Sequence, residues 1–218
     1  MKRVRFFYVR HGETLFNVMH RMQGWCDSPL TEKGVEDARA AGALLAGVPL
    51  SAAYVSTSER CRDTCALVLE GRDDVPVYER KGLKEVFYGT WEGVKVDDHL
   101  DEINRRRGTG IHWDDCGGDS DESFARRVRK TYTQIFDERD DGDNVLIVSH
   151  GAAWLWLQRV LFGIDPGEFG RVKKAKGLPK LPNGYNGSFT CTDGVWRLES
   201  VPGLDDADVL HLMSGESN

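Results

Sequence analysis

No apolar run in this 218-residue chain approaches the ~18–20 residues that a membrane-spanning helix needs. The stretch 1–9 has a charged start and an apolar continuation, but the apolar part is too short for a leader and is expected to be a buried strand. Basic charge is not in excess: 29 Lys and Arg face 35 Asp and Glu, a formal charge of −6 with neutral histidines. That balance argues against nucleic acid as a partner, because a nonspecific binder carries a net basic surface. With 29% charged residues of mixed sign and 40% hydrophobic residues, the chain is not a disordered polyelectrolyte and can bury a core. The five cysteines, Cys26, Cys61, Cys65, Cys116 and Cys191, are odd in number and form no C-x-x-C pair. Neither a secreted disulfide framework nor a zinc knuckle is supported, and a reducing cytoplasm is the expected compartment. His20, His99, His112 and His211 show no H-E-x-x-H spacing, the acidic pairs Asp114-Asp115 and Asp140-Asp141 read as solvated turns, and no internal repeat is visible. No metal and no cofactor are implied.

What is present is an alternation of strand-like and helix-like segments, which favours a largely parallel sheet with helices on its faces. Residues 1–218 fit one domain. The first strand is expected over 4–9. Thr31 then caps a helix with apolar positions Val35, Ala38, Ala41 and Leu45, stopped by Gly47 and Pro49. Strands are expected over 52–56, 75–77 and 145–148, the last continuous and β-branched as buried parallel strands are. A helix starts at Ser58, another carries Phe124, Val128, Tyr132, Ile135 and Phe136 at helical spacing, and an unusually apolar one covers 151–162. Residues 165–186, rich in Pro, Gly and Lys, read as a long loop. Two short strands over 189–192 and 195–198 flank an Asp193-Gly194 turn. Residues 94–118 have no clear period and read as a lid-like insertion, and the acidic end over 204–218 reads as a frayed tail.

Three of these strands run into polar residues: Arg10-His11-Gly12-Glu13-Thr14, Ser56-Thr57-Ser58-Glu59-Arg60 and Ser149-His150-Gly151. Carboxyl ends of parallel strands form the crevice in which ligands sit, so two arginines and two histidines are expected to share one pocket. Guanidiniums clamp phosphoryl oxygens in bidentate fashion, and Arg60 and His150 each open a helix whose free N–H groups favour an anion. Singly, each segment is an ordinary strand end; together they describe a phosphate site.

These segments resemble the signatures of the histidine phosphatase superfamily, which includes phosphoglycerate mutases and broad-specificity phosphatases. The matching residues are Arg10 to Thr14 with Asn17, Gln23-Gly24, Asp27-Ser28-Pro29-Leu30-Thr31 and Gly34, then Ser56 to Thr64. Leu83-Lys84-Glu85, Gly89-Thr90-Trp91-Glu92-Gly93 and Val148-Ser149-His150-Gly151 complete the series. Ser58 stands where Pro-Leu is more usual nearby, and Asp121-Glu122-Ser123 where Gly-Glu-Ser is common. The resemblance implies a three-layer α/β/α sandwich with a mostly parallel sheet. It also implies a metal-independent phosphatase in which His11 becomes a phosphohistidine and Glu85 serves as general acid and base. Arg10, Arg60 and His150 would hold the nonbridging oxygens, with Asn17 adding a neutral donor and Gln23, Gly24 and Gly151 completing the phosphate site. Like charge on the arginines favours the neutral imidazole that attack requires.

The expected partner is a small phosphorylated substrate, with no nucleic acid or membrane, and a homodimer is compatible with the sequence. The alternative enzyme reading is a bisphosphoglycerate-dependent mutase; Tyr88 to Gly93 is closer to the phosphatase branch than to the mutase pattern. A noncatalytic phospholigand-binding module on the same fold is the third reading, opposed by the presence of both His11 and Glu85. The run Arg105-Arg106-Arg107 is either a solvated helix face or a patch that greets a second anionic group at the pocket mouth.

Overall fold

The computed structural model describes residues 1–108 and 110–215, apart from the Arg107 side chain. Six strands, β1 (Arg3–Arg10), β2 (Ala52–Ser56), β3 (Val77–Arg80), β4 (Asn144–Ser149), β5 (Gly184–Thr192) and β6 (Val195–Ser200), form one sheet in the order β3-β2-β4-β1-β5-β6. β1, β2, β3 and β4 run parallel, whereas β5 pairs antiparallel to β1 and β6 to β5. The helices are α1 (Leu15–Val18), α2 (Glu32–Leu44), α3 (Glu59–Val68), α4 (Leu100–Gly108), α5 (Asp121–Asp137), α6 (Gly151–Phe162), α7 (Pro166–Ala175) and α8 (Asp206–Ser214).

The side-chain alternation of β1 divides the interior. Val4, Phe6 and Tyr8 enter a larger core with residues of α5 and α6, including Phe124, Tyr132 and Trp154, while Phe7 and Val9 enter a smaller core with Ala41, Cys61, Cys65 and Val68 of α2 and α3. Both faces of the sheet are therefore covered, giving the three-layer α/β/α arrangement with a mostly parallel sheet.

Three stretches differ from what their composition suggests. Residues 165–186 are not a long loop: Asp165 caps α7 by accepting from the Glu168 N–H, Pro166 takes the first turn where its missing N–H costs nothing, and Phe169 is buried. The acidic end is not frayed over its whole length, because Asp205 and Asp208 form a capping box and α8 buries Val209 and Leu212; residues 216–218 lie outside the described residues. Within 94–118, Ile103, Ile111 and Trp113 are nearly fully buried in the larger core, while most of the described residues around them are exposed or half-buried, so the insertion is pinned to the core at these points. Its lack of period reflects anchors drawn from separate short elements.

Candidate active site

β1, β4 and β2 lie side by side, with Arg10 in register with Ser149 and Val55 with Val148, so their carboxyl ends open at the same level. The chain leaves β1 through His11, whose N–H donates to the Ser149 carbonyl at 3.0 Å and whose carbonyl accepts from Asn183 Nδ2 at 2.7 Å. Gly12 follows because the loop lies directly on the first turn of α2: a Cβ at Gly12 would stand 2.1 Å from the Gly34 carbonyl oxygen.

The His11 side chain is buried and its Nδ1 lies 2.9 Å from the Gly12 carbonyl oxygen. A carbonyl only accepts, so Nδ1 carries the proton and Nε2 keeps its lone pair. Burial lowers the His11 pKa well below the ordinary imidazole value, and the charges of Arg60 and Arg10 lower it further. His150 is neutral for related reasons: burial first, then Arg60. Arg60 Nη2 donates to His150 Nδ1 at 2.8 Å, which leaves the His150 proton on Nε2 to donate to Ser56 Oγ at 2.8 Å.

Arg60 itself is fully buried. It is held by the Gly24 and Cys26 carbonyls at 2.8 and 2.9 Å and by Asp27 at 2.9 Å. Arg10 packs flat on Gly151, where a Cβ would lie 2.9 Å from Nε, and its Nη1 donates to the Leu181 carbonyl. The Nε groups of both Arg10 and Arg60 are buried without a protein acceptor, as is Ser58 Oγ. Donors of this kind are costly to leave unpaired and suit an anion.

Glu85 completes the wall. His150 occupies the N-cap position of α6 without a side-chain cap, so the first amides of that helix need an acceptor from elsewhere. The Glu85 carboxylate supplies it, accepting from Ala152 at 2.9 Å, Ala153 at 2.6 Å and its neighbour Val86 at 2.9 Å. Burial raises the Glu85 pKa, against the pull of these amides and of Arg60.

A cavity of about 820 Å³ opens over this assembly. Arg10, His11, Asn17, Gln23, Glu85 and Gly151 line it, whereas Arg60, His150 and Gly24 lie beneath the surface, with the His150 ring centroid 5.4 Å from that of His11. Gln23 is less available than expected, because its amide is used by Thr14 Oγ1 and Ser28 Oγ at 2.7 and 3.0 Å. Asn17 spends its oxygen on the Thr14 N–H and keeps its amide N–H groups. Arg105 and Arg106 do not line the cavity. Arg105 pairs with Glu102, and Arg106 binds Glu102 and Asp115 at 2.7 and 2.6 Å with its guanidinium over Trp91 and Trp113. The Arg107 side chain lies outside the described residues. No group of three or more His, Cys, Asp or Glu able to hold a metal occurs among the described residues, and no described helix is long and apolar enough to cross a membrane.

Asn183, Asp119 and Arg127, which hold the loops after β1 and around Glu85, lie in no motif that the sequence shows. For Arg127 a signal existed: it falls on the same helix face as Phe124, Val128 and Thr131, an unusual place for a cation.

The two buried neutral histidines set a pH dependence of stability. Unfolding releases His11 and His150 to water, where they bind protons near pH 6.5, while the folded state resists protonation. Stability is therefore fully present above about pH 6.5 and falls as pH drops through that range. Glu85 has the opposite sign, since its raised pKa makes the folded state bind that proton more readily, but it is one group against two. Urea midpoints are expected to fall steadily on acidification from neutral pH, and His150→Gln to flatten that slope.

Among proteins of known sequence, a model of the histidine phosphatase superfamily (branch 1) matches residues 6–180. The chain is 39% identical over 164 residues to 2,3-bisphosphoglycerate-dependent phosphoglycerate mutase 2 of Gloeobacter violaceus, covering 72% of this chain and 74% of that protein. It is 36% identical over 215 residues to the adenosylcobalamin/α-ribazole phosphatase of Salmonella typhimurium, covering 90% of this chain and all of that protein. The crystal structure of phosphoglycerate mutase from Bacillus anthracis superposes with a TM-score of 0.77 at 30% identity, covering 96% of each chain. A pocket with two arginines and two histidines at three parallel strand ends and a family match spanning β1 to β4 agree, and the chain belongs to the histidine phosphatase superfamily.

Proposed function

We propose that the protein is a phosphomonoester hydrolase working through a phosphohistidine on His11. The observation that carries this reading is the fixed tautomer: Nδ1–H is committed to the Gly12 carbonyl, so the unprotonated Nε2 belongs to a neutral, buried imidazole on the cavity wall. In the first step Nε2 attacks phosphorus and the P–O bond to the alcohol breaks. Protonated Glu85, favoured by burial, gives its proton to the leaving oxygen. In the second step water attacks the phosphohistidine, Glu85 takes its proton, and the P–N bond breaks to free phosphate. Arg10 at the wall and Arg60 beneath it supply positive charge for the phosphoryl oxygens, with His150 holding Arg60 in place and Asn17 offering a neutral donor. In this scheme these residues need neither metal nor cofactor, and the partner is a small phosphorylated substrate in a reducing cytoplasm.

Transfer to water rather than to a second phosphoglycerate position is supported by the rest of the cavity. Away from His11 its walls include Phe16, Val96, Ile111, Trp113, Leu155 and Trp156. Of the cations there, Arg21 donates to the Gly93 carbonyl at 2.7 Å and Arg159 pairs with Asp121 at 3.7 Å and lies over Trp156, while Lys180 also lines the wall. A mutase must also hold a second phosphoryl group, and these mainly apolar walls offer Lys180 for it rather than a second cluster of unpaired cations. The 39% identical mutase relative keeps isomerisation as the second reading.

The test is a panel of phosphomonoesters assayed beside 3-phosphoglycerate, with and without 2,3-bisphosphoglycerate, in chelator. Phosphate release without isomerisation is expected. Efficient, bisphosphate-dependent formation of 2-phosphoglycerate would overturn the hydrolase reading in favour of the mutase, and absence of both activities would favour a phospholigand-binding module.

A further inference from the structure

We infer that Arg127 is a positioning residue for proton transfer by Glu85, an inference that rests on the acid–base role proposed for that carboxylate. Glu85 lies in a segment, residues 84–88, with no helix or strand of its own. Its place is therefore set by bonds from outside. The α6 amides fix the carboxylate; the backbone that carries it is fixed from the opposite side by α5.

The Arg127 guanidinium donates through Nη1 to the Lys84 carbonyl at 2.6 Å and the Gly82 carbonyl at 3.3 Å, and through Nη2 to the Glu85 carbonyl at 3.1 Å. Nη2 also pairs with Asp119 Oδ2 at 2.6 Å, and the same oxygen accepts the Phe87 N–H at 2.9 Å. One ion pair thus grips the loop on both sides of Glu85. Asp119 is anchored in turn by Ser123 Oγ at 2.8 Å, within the capping box of α5, and the Phe124 ring lies 4.8 Å beneath the guanidinium. The loop is flush against the helix one turn further on, where a Cβ at Gly82 would stand 1.9 Å from Thr131 Oγ1. Both members of the pair are largely buried, with side chains 17% and 13% exposed. Lysine cannot reproduce this, because its single ammonium lacks the planar fork that reaches three carbonyls and a carboxylate at once.

A merely structural clamp would lower the rate on every substrate alike. A clamp that aims a general acid matters in proportion to how much the leaving oxygen needs a proton. The experiment compares kcat/KM, which covers departure of the alcohol, for an alkyl phosphate and for p-nitrophenyl phosphate in wild type, Arg127→Lys, Asp119→Asn, Glu85→Gln and the Arg127→Lys/Glu85→Gln double variant. Arg127→Lys is expected to lose roughly 10–100-fold on the alkyl ester and less than about 3-fold on the nitrophenyl ester, since a displacement of about 1 Å costs on the order of 100-fold in a step that needs alignment. Asp119→Asn should show a weaker split of the same sign, and keeps the test alive if Arg127→Lys does not fold. The double variant should be no slower than Glu85→Gln alone. Equal losses on both esters, or additive losses in the double variant, would overturn the inference while leaving the proposed hydrolase intact. If Glu85→Gln itself shows no split between the esters, the acid role of Glu85 falls and this inference with it.

Discussion

Replacing His11 with alanine is expected to lower phosphatase turnover by about 10⁴-fold or more and to remove acid-labile phosphate labelling of the protein. The magnitude follows from the environment. An imidazole in water is largely neutral at pH 7 but has no fixed tautomer; here the Gly12 carbonyl at 2.9 Å assigns the proton to Nδ1, and burial with Arg60 and Arg10 keeps the ring neutral well below the ordinary range. No neighbouring group can take over. His150, the nearest imidazole, has both nitrogens committed to Arg60 and Ser56 and lies beneath the cavity. His20 lines the cavity but is exposed, and its Nδ1 faces Asp97 at 3.2 Å. The fold should survive, because residue 11 holds its neighbours through its main chain, to Ser149 and Asn183, and alanine keeps both groups. The check is steady-state phosphate release together with quenched labelling by a radioactive phosphomonoester. A labelled His11→Ala protein, or one turning over at the wild-type rate, would remove the phosphohistidine from the mechanism.

What the chain discloses in advance depends on whether a feature is periodic, local or three-dimensional. β1, β2 and β4 are legible as short apolar runs, since strands buried on both faces carry no polar alternation, and α2 and α5 because burial on one helix face imposes a repeat; the parallel order then brings Arg10, His11, Arg60 and His150 to one end without further information. Depth is not legible. That Arg60 and His150 lie beneath the cavity while Arg10 and His11 line it depends on the loop carrying Gly24 and Cys26 folding over the guanidinium, which no spacing encodes. The α7 and α8 signals were local and masked: Asp165-Pro166 and the Asp205/Asp208 box are good helix starts, but the surrounding Lys, Gly and Asp gave a loop-like composition. The run at 105–107 shows why charge alone misleads. Glu102 and Asp115 absorb Arg106, and Trp91 and Trp113 cover its face, so the arginine ties an insertion to the core instead of meeting a ligand.

Substituting Glu92 with glutamine, a change of one atom, is expected to destabilise the protein by about 3 kcal/mol and to lower phosphatase activity through a residue the substitution never touches. The Glu92 carboxylate accepts four main-chain N–H groups: Gly24 at 3.1 Å, Trp25 at 2.9 Å, Cys26 at 2.9 Å and Tyr88 at 3.0 Å. Two carboxylate oxygens have the lone pairs for all four, and the negative charge strengthens each bond. Glutamine offers one oxygen, and its NH₂ would face the remaining amides donor to donor. The residue also explains Gly24, where a Cβ would stand 2.3 Å from Glu92 Oε1. The carbonyls on the other side of that loop, Gly24 and Cys26, are those that hold Arg60. Glu92, the loop, Arg60 and His150 therefore form one chain of contacts from a loop carboxylate to the imidazole behind His11. Loosening its first link should let the guanidinium shift relative to the phosphoryl site. Urea unfolding and kcat/KM on one phosphomonoester, measured below the unfolding transition, separate the two effects. A loss of activity in fully folded protein is the expected signature, whereas a variant within about 0.5 kcal/mol of wild type and equally active would mean that the loop holds its shape without Glu92.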